Sequence, residues 1–437
     1  MSDFAFSVQI PSSGNYTVQR PFINRLQDKR LLTDYISRDQ WAGIRSGSPI
    51  GKMTNDFGQD SFLAALADLS SLGGCIEVPE GSFAANTYVI TGHDNLWIRG
   101  SGNSTNWITN TPTGHLMDFR GLAGSISDLR FMADPLAGRS PEMGNACIHL
   151  GWQASRFWCE RVEAINHGTF LQLDGQNPDN PNENLMFCEI NSPRVFGAIA
   201  GSHVMIINGG YAVRINDPRL TVDSLDPSEF AATGILVLST ADLSIDGVTQ
   251  ILGFDRPIDV RPPVGSVVAS FRMKDGFLGT SNKGSRFTAA DGGTIVSASM
   301  NGVWCGQNKD ATSPGALTLV GYRPGGIQQM LLTNMEFPEC ASDGLNADEY
   351  VRGLSVMGGW ADGCPSGAGI SIRSQGFRVM GFRSGGDRFA PNAYGAWLGA
   401  GCDDFIFALN DLRGNGTNFI NGAGTGPSKV IYGNLGT

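Results

Sequence analysis

Short runs of alternating apolar residues, each about one strand long, recur along this chain at a nearly fixed step. Near the C-terminus Phe377-Arg378-Val379-Met380-Gly381 matches Asp404-Phe405-Ile406-Phe407-Ala408 and then Lys429-Val430-Ile431-Tyr432-Gly433, with Gly381, Ala408 and Gly433 spaced 27 and 25 residues apart. Upstream, Leu96-Trp97-Ile98-Arg99-Gly100 and Leu243-Ser244-Ile245-Asp246-Gly247 share that shape, and Gly234–Leu238 recurs as Arg256–Val260. A strand repeat of roughly 20–30 residues is the mark of a solenoid, in which each strand lies over its counterpart one rung earlier. Rungs ~4.8 Å apart would make a dozen of them a rod of about 60 Å. The competing architectures are a β-sandwich or a propeller. Both need Asn-Gly or Asp-Gly hairpin turns every 8–12 residues or so, which do not occur systematically here.

Composition agrees with stacked, buried strands. Glycine is 59 of 437 residues, against a usual ~7%. Charged residues are 16%, against a usual ~25%. The net charge of −10 argues against a nucleic-acid partner, which needs a basic face. No apolar run approaches the ~18 residues of a membrane span, so no membrane insertion is expected. The start, MSDFAFSVQIPSSG, lacks the basic and apolar regions of a secretion signal. Eight scattered cysteines form no C-x-x-C pair and several sit in apolar stretches, so they read as buried hydrophobes made under reducing conditions. No metal and no cofactor is expected.

Residues 1–52 differ from the rest. Arg20, Arg25, Lys29, Arg30, Arg38 and Arg45 give them a basic bias. They form an expected head segment ending near Ser46-Gly47-Ser48-Pro49, followed by a solenoid over 53–437. Phe62, Leu63, Leu66 and Leu69 recur at helical spacing until Gly73-Gly74, so one short helix is predicted over 60–72.

The segment Thr54-Asn55-Asp56-Phe57-Gly58-Gln59-Asp60, this helix, and then Gly73-Gly74-Cys75-Ile76-Glu77-Val78-Pro79-Glu80-Gly81-Ser82-Phe83 resemble the start of pectate-lyase-like β-helix proteins, phage tailspikes in particular. Ile90 and Asn95-Leu96-Trp97-Ile98-Arg99-Gly100-Ser101-Gly102 resemble the family's second strand and turn, and Leu32–Ser37 its connector before the helix. The resemblance implies an all-β, right-handed parallel β-helix with an N-terminal capping helix that shields the first rung. It further implies a homotrimer on a phage virion, assembled in the host cytoplasm. Residues 1–52 would then face the tail or an adaptor protein, and the rod a bacterial surface polysaccharide such as capsule or O-antigen.

Strand alternation then assigns outward side chains. Aligning Phe157-Trp158-Cys159-Glu160 with Met186-Phe187-Cys188-Glu189 stacks Phe157 and Cys159 inward on Met186 and Cys188. It sets Trp158 on Phe187 and Glu160 on Glu189 outside. Exposed rings beside paired carboxylates suit a glycan, with the rings as binding surface and the carboxylates as acid and base. Two stacked carboxylates repel, which should raise one pKa. Asp246, two coils further on in this register, and Asp174, at a strand end beside the insertion Gln176–Asn184, complete the catalytic candidates. The alternative is that all four are solvated rung charges. A second acidic group, Glu336, Glu339, Asp343 and Asp362 near Trp360, falls in an irregular stretch where Trp360 is a further candidate for substrate binding. His149, His167 and His203 read as structural residues at strand ends. Two acids favour glycoside hydrolysis; β-elimination would instead need Arg272 or Lys274 beside a uronate. A receptor-binding protein without enzymatic activity, and a cellular β-helix lyase or transferase, are the other classes.

Overall fold

In the computed structural model the alternating segments close into coils of three strands. Leu96–Arg99, Thr105–Thr109 and Met117–Phe119 make one coil, and Gly124–Ser127 pairs in parallel with Leu96–Arg99 to start the next. Repetition builds three sheets of 15, 12 and 13 strands, here called the first, second and third in order along a coil. The structure describes residues 5–8, 18–21, 29–46 and 53–69. It also describes 73–437, apart from 110, 122, 134–138, 178, 181–184, 186, 223–231, 290–291 and 387. Among the described strands the one antiparallel pair is Ala5–Val8 with Val18–Pro21; every other pairing is parallel. This is the expected all-β parallel β-helix, and a hairpin-built sandwich or propeller is excluded.

The corner between the first and second sheets explains the regularity. Asp128, Arg161, Ser192, Asp217, Asp275 and Asn334 occupy it on different coils with φ between 50 and 55, and Gly247, Gly302, Gly358 and Gly381 replace them on others. One left-handed residue turns the chain sharply between two strands, at low cost for Gly, Asn and Asp. Inside, Ile76, Ile98, Ile126, Cys159, Ile190, Ile215 and Ile245 form an apolar column that continues to Phe407 and Ile431. Seven of the eight cysteines are buried in this interior as free thiols. A four-stranded ribbon (Val267–Ala269, Thr294–Val296, Ile327–Gln328 and Val351–Arg352) widens four coils between the third and first sheets.

The helix is shorter than the predicted 60–72. It spans Ser61–Ala67, and the Asp60 carboxylate caps it by accepting from the backbone N–H groups of Phe62 and Leu63; residues 70–72 lie outside the described residues. Phe62 packs on Tyr88 and Trp107 with ring centroids 4.5 and 5.4 Å away, so the helix seals the first coils as expected of a cap. Leu63, expected on that face, is 47% exposed, because Phe62, Leu66 and Leu69 already define the buried stripe. Upstream, Lys29–Leu31 pairs in parallel with Cys75–Glu77 and extends the first sheet by one strand. The helix Trp41–Ser46 presses against Gly81, where a Cβ would lie 2.5 Å from the Ile44 side chain.

Several rung alignments read from sequence slip in the structure. Phe377 was expected over Asp404, but Arg378 pairs with Ile406, which puts Phe377 against Phe405 with stacked rings 4.7 Å apart. Ala408 likewise pairs with Tyr432, not Gly433, and Ile235, not Leu236, pairs with Ile258. A slip of one residue turns every side chain to the other face, so the stack of inward residues decides the register.

Candidate functional site

The outer face of the first sheet carries most of the predicted site. Strand Phe157–Glu160 pairs with Cys188–Asn191, so Phe157 faces Cys188, Trp158 faces Glu189, Cys159 faces Ile190 and Glu160 faces Asn191. The expected stacking of Glu160 on Glu189 is therefore corrected: the register is shifted by two residues, which keeps both glutamates outside but makes them diagonal neighbours. The cause is local, since the strand begins at Cys188 and Phe187 lies just before it. Met186 lies outside the described residues. Trp158 is 42% exposed and still meets Phe187, at 5.8 Å between centroids, and the Arg214 guanidinium lies over the Phe187 ring at 5.9 Å. Glu160 is ion-paired with Arg161, whose guanidinium also grips Asp128 of the preceding coil at 2.7 Å. Asn216 donates to Glu189 at 3.4 Å and to Asn191 at 2.7 Å. Asp246 shares the column of Glu160, with Asn191 and Asn216 between them.

Asp174 belongs to a different group. It ends strand Thr169–Asp174 on the third sheet and accepts from His149 Nε2 at 3.1 Å, Gln172 Nε2 at 2.7 Å and Asn208 Nδ2 at 3.0 Å. The other ring nitrogen of His149, Nδ1, lies 2.6 Å from Asp118, which also takes Arg120 at 2.6 Å. Burial disfavours the imidazolium, yet the two carboxylates outweigh it and raise His149 to about 9. Burial likewise opposes ionisation of Asp118 and Asp174, and their hydrogen bonds win, holding both below the usual carboxylate range. His115 stacks on His149 at 4.1 Å; burial and the adjacent positive charge depress it to about 4. His149 is thus not a strand-end residue as expected but the middle of a clamp within strand Ala146–Gly151. Sequence reading missed His115, Asp118 and Arg120 altogether. His167 is buried between strands, and burial lowers it to about 3.

Trp360 lies on the second sheet, away from both groups. The stretch expected to be irregular is regular: Glu336–Pro338 and Trp360–Asp362 are successive rungs, with Glu336 facing Trp360 and Pro338 facing Asp362. Strands of three residues between left-handed corners such as Glu339 look like loops in a sequence. Asp343 lies instead on the third sheet, where burial raises its pKa despite hydrogen bonds from Asn346 and the Ala368 N–H. A pocket of about 330 Å³ opens beside Trp360 and Asp362. Of the cations considered for elimination, Arg272 is paired with Asp242 at 2.6 Å and Lys274 with Asp275 at 3.7 Å. Among the described residues no group of three or more His, Cys, Asp or Glu side chains is arranged to hold a metal ion.

No protein-family model matches the chain, and no curated protein matches it. Solved structures do. The catalytic unit of a thermostable GH87 α-1,3-glucanase from Streptomyces thermodiastaticus superposes with a TM-score of 0.58 at 14% identity, over 93% of this chain and 69% of the glucanase. A double-mutant tailspike of E. coli bacteriophage HK620 gives 0.58 at 11% identity, over 93% of this chain and 79% of the tailspike. The Dettilon tailspike gives 0.54 at 13%, over 94% and 69%. The chain has the parallel β-helix fold that phage tailspikes share with this glucanase.

Proposed function

We propose that this protein is a tailspike-type virion protein that binds a bacterial surface polysaccharide and hydrolyses it. The observation that carries this reading is the face on which Trp158 touches Phe187 and pairs with Glu189 while Glu160 stands diagonally across. Diagonal neighbours on a sheet have positions roughly 7–8 Å apart, from which two flexible glutamate side chains can reach the ~6.5–9.5 Å carboxyl separation of inverting glycosidases. Glu160, with Arg161 as counter-ion, would activate the water, and Glu189 would protonate the leaving oxygen. Trp158, Phe187 and, further along the rod, Trp360 would bind sugar units, with Asp174 and Asp246 as further acidic candidates. The shared fold with two tailspikes and a glucanase supports this class, as does the length of regular outer surface. Assembly as a homotrimer and attachment to the tail or an adaptor through residues 1–52 belong to the same proposal.

The pairing of Glu160 with Arg161 favours a second reading, binding without cleavage, because an occupied carboxylate is a poor catalyst. Elimination is disfavoured by the carboxylates that already engage Arg272 and Lys274. One experiment separates the three. Purified capsule or O-antigen of candidate hosts is incubated with the protein, and new reducing ends and ultraviolet absorbance are followed. Reducing ends without absorbance support hydrolysis, unsaturated ends mean elimination, and retention of the polymer uncut means binding alone.

A further inference from the structure

On the second sheet Phe277, Trp304, Glu336, Trp360 and Arg383 face one another in succession on five consecutive coils. Four steps of ~4.8 Å make this column about 19 Å long. Phe277 and Trp304 are stacked at 4.0 Å, and Phe277 is exposed to solvent. The column therefore runs from an apolar end, through an acid and a second indole, to a cation.

At the cationic end lies the pocket lined by Trp360, Asp362, Arg383 and Arg388. Asp362 is only 3% exposed. One carboxylate oxygen accepts from the Phe389 N–H at 3.3 Å, and the other, Oδ1, has no partner. That enclosed, unpaired acceptor is destabilising, a cost the fold retains at the floor of this pocket. The guanidinium groups of Arg383 and Arg388 form no hydrogen bond or ion pair with the described residues. Asp411, one coil beyond Arg383, is taken by Arg413 at 2.9 Å. The pocket stays open because position 386 is glycine: a Cβ there would lie 2.8 Å from Asp362 Oδ2 and 3.4 Å from Arg383 Nη2.

We propose that this pocket binds a sugar acid, the carboxylate-bearing unit of an acidic saccharide whose chain lies along the column. Arginine forks match a carboxylate in shape and charge. Asp362 Oδ2, the oxygen beside Gly386, would accept a ring hydroxyl of the same unit, and the Trp360 indole would cover its apolar side. The proposal shares with the proposed function only the class of ligand, and it adds that the polymer is anionic.

The full chain is tested by saturation-transfer NMR with glucuronate and N-acetylneuraminate as probes, glucose as the neutral control and inorganic phosphate as competitor. Both sugar acids, or one of them, should receive saturation where glucose does not. Arg383→Ala and Arg388→Ala should each weaken binding about tenfold. Gly386→Val, which keeps both arginines and fills the pocket, should abolish it. No transfer to either sugar acid, equal transfer to glucose, or binding unchanged in all three variants overturns the proposal. Displacement by phosphate at equal concentration would reduce the site to one for any small anion and overturns it too. Glu160→Gln and Glu189→Gln should leave sugar-acid binding intact, so loss of cleavage in those variants bears on the hydrolytic reading alone.

Discussion

The imidazole rings of His115 and His149 lie 4.1 Å apart and 9° from parallel, yet their surroundings drive them in opposite directions, His115 down to about 4 and His149 up to about 9. His115 Nδ1 accepts from the Ala146 N–H at 3.2 Å, which fixes a neutral ring. His149 places each nitrogen against a carboxylate, which favours its cationic form. Three successive coils are thus joined across the third sheet by one imidazole held between Asp118 and Asp174.

This arrangement sets the pH range of stability. His149 is raised to about 9, so its contribution is complete below the ordinary histidine value of ~6.5 and is lost as pH rises through about 9. His115 and His167 are depressed to about 4 and about 3. As pH falls below ~6.5 the unfolded chain takes up those protons first, and stability declines. Asp118 and Asp174, held low, give up their contributions only at still more acid pH. Thermal midpoints recorded across the range should peak near pH ~6.5, fall from there to about 9 and level off above it. A midpoint that stays level between about 6.5 and 9 would contradict the clamp.

Replacing His149 by Asn should unlock those coils. Asp118 keeps Arg120, and Asp174 keeps Gln172 and Asn208, but the charged bridge between them is gone. A loss of about 2–3 kcal/mol is expected from hydrogen bonds to charged partners. Each rung contacts only its neighbours, so the effect should stay local. Hydrogen exchange should rise in Ala146–Gly151 and Thr169–Asp174 and remain unchanged in Arg378–Met380.

Function is tested on the first sheet. Glu160→Gln and Glu189→Gln should each lower the rate of polysaccharide cleavage by roughly a hundredfold or more, the usual scale for a general acid or base. Affinity for the intact polymer should hold. Trp158→Ala should do the reverse, weakening binding about tenfold with little change in thermal midpoint, because the ring is already largely exposed. Reducing-end release against titration of the uncut polymer checks both. If neither glutamate variant loses activity, the catalytic assignment is wrong.

The solenoid was legible because its signal is redundant. Every coil repeats an apolar alternation and a left-handed corner, so one irregular rung does not hide the period. Register was less legible, because coil length varies: 33 residues separate Ile126 from Cys159, and 23 separate Val356 from Val379. Alignment by local likeness then misses by one or two residues, as it did at Phe187 and at Asp404. The clamp left almost no trace. Asp118, His149 and Asp174 come from three coils, each an isolated polar residue in its own stretch, and only the pairing of strands brings them together. Trp158 and Phe187 were found since each sits at the same place in its strand-like run.

The register at the C-terminal end can be tested directly. With Phe377 over Phe405, both rings are buried and stacked 6° from parallel. Truncating either leaves a cavity in the column, so Phe377→Ala and Phe405→Ala should each cost about 3–5 kcal/mol. In the alternative alignment, with Phe377 over Asp404, Phe405 would point to solvent and its loss would be almost silent. Trp397, 45% exposed on the neighbouring third sheet, supplies the control, and its replacement by Ala should change stability by about 0.5 kcal/mol or less. The double substitution of Phe377 and Phe405 should fall short of the summed single losses by about 0.5–1.5 kcal/mol, the coupling of stacked rings. Denaturant unfolding of the four variants measures this, and additive losses would mean that the two phenylalanines do not touch.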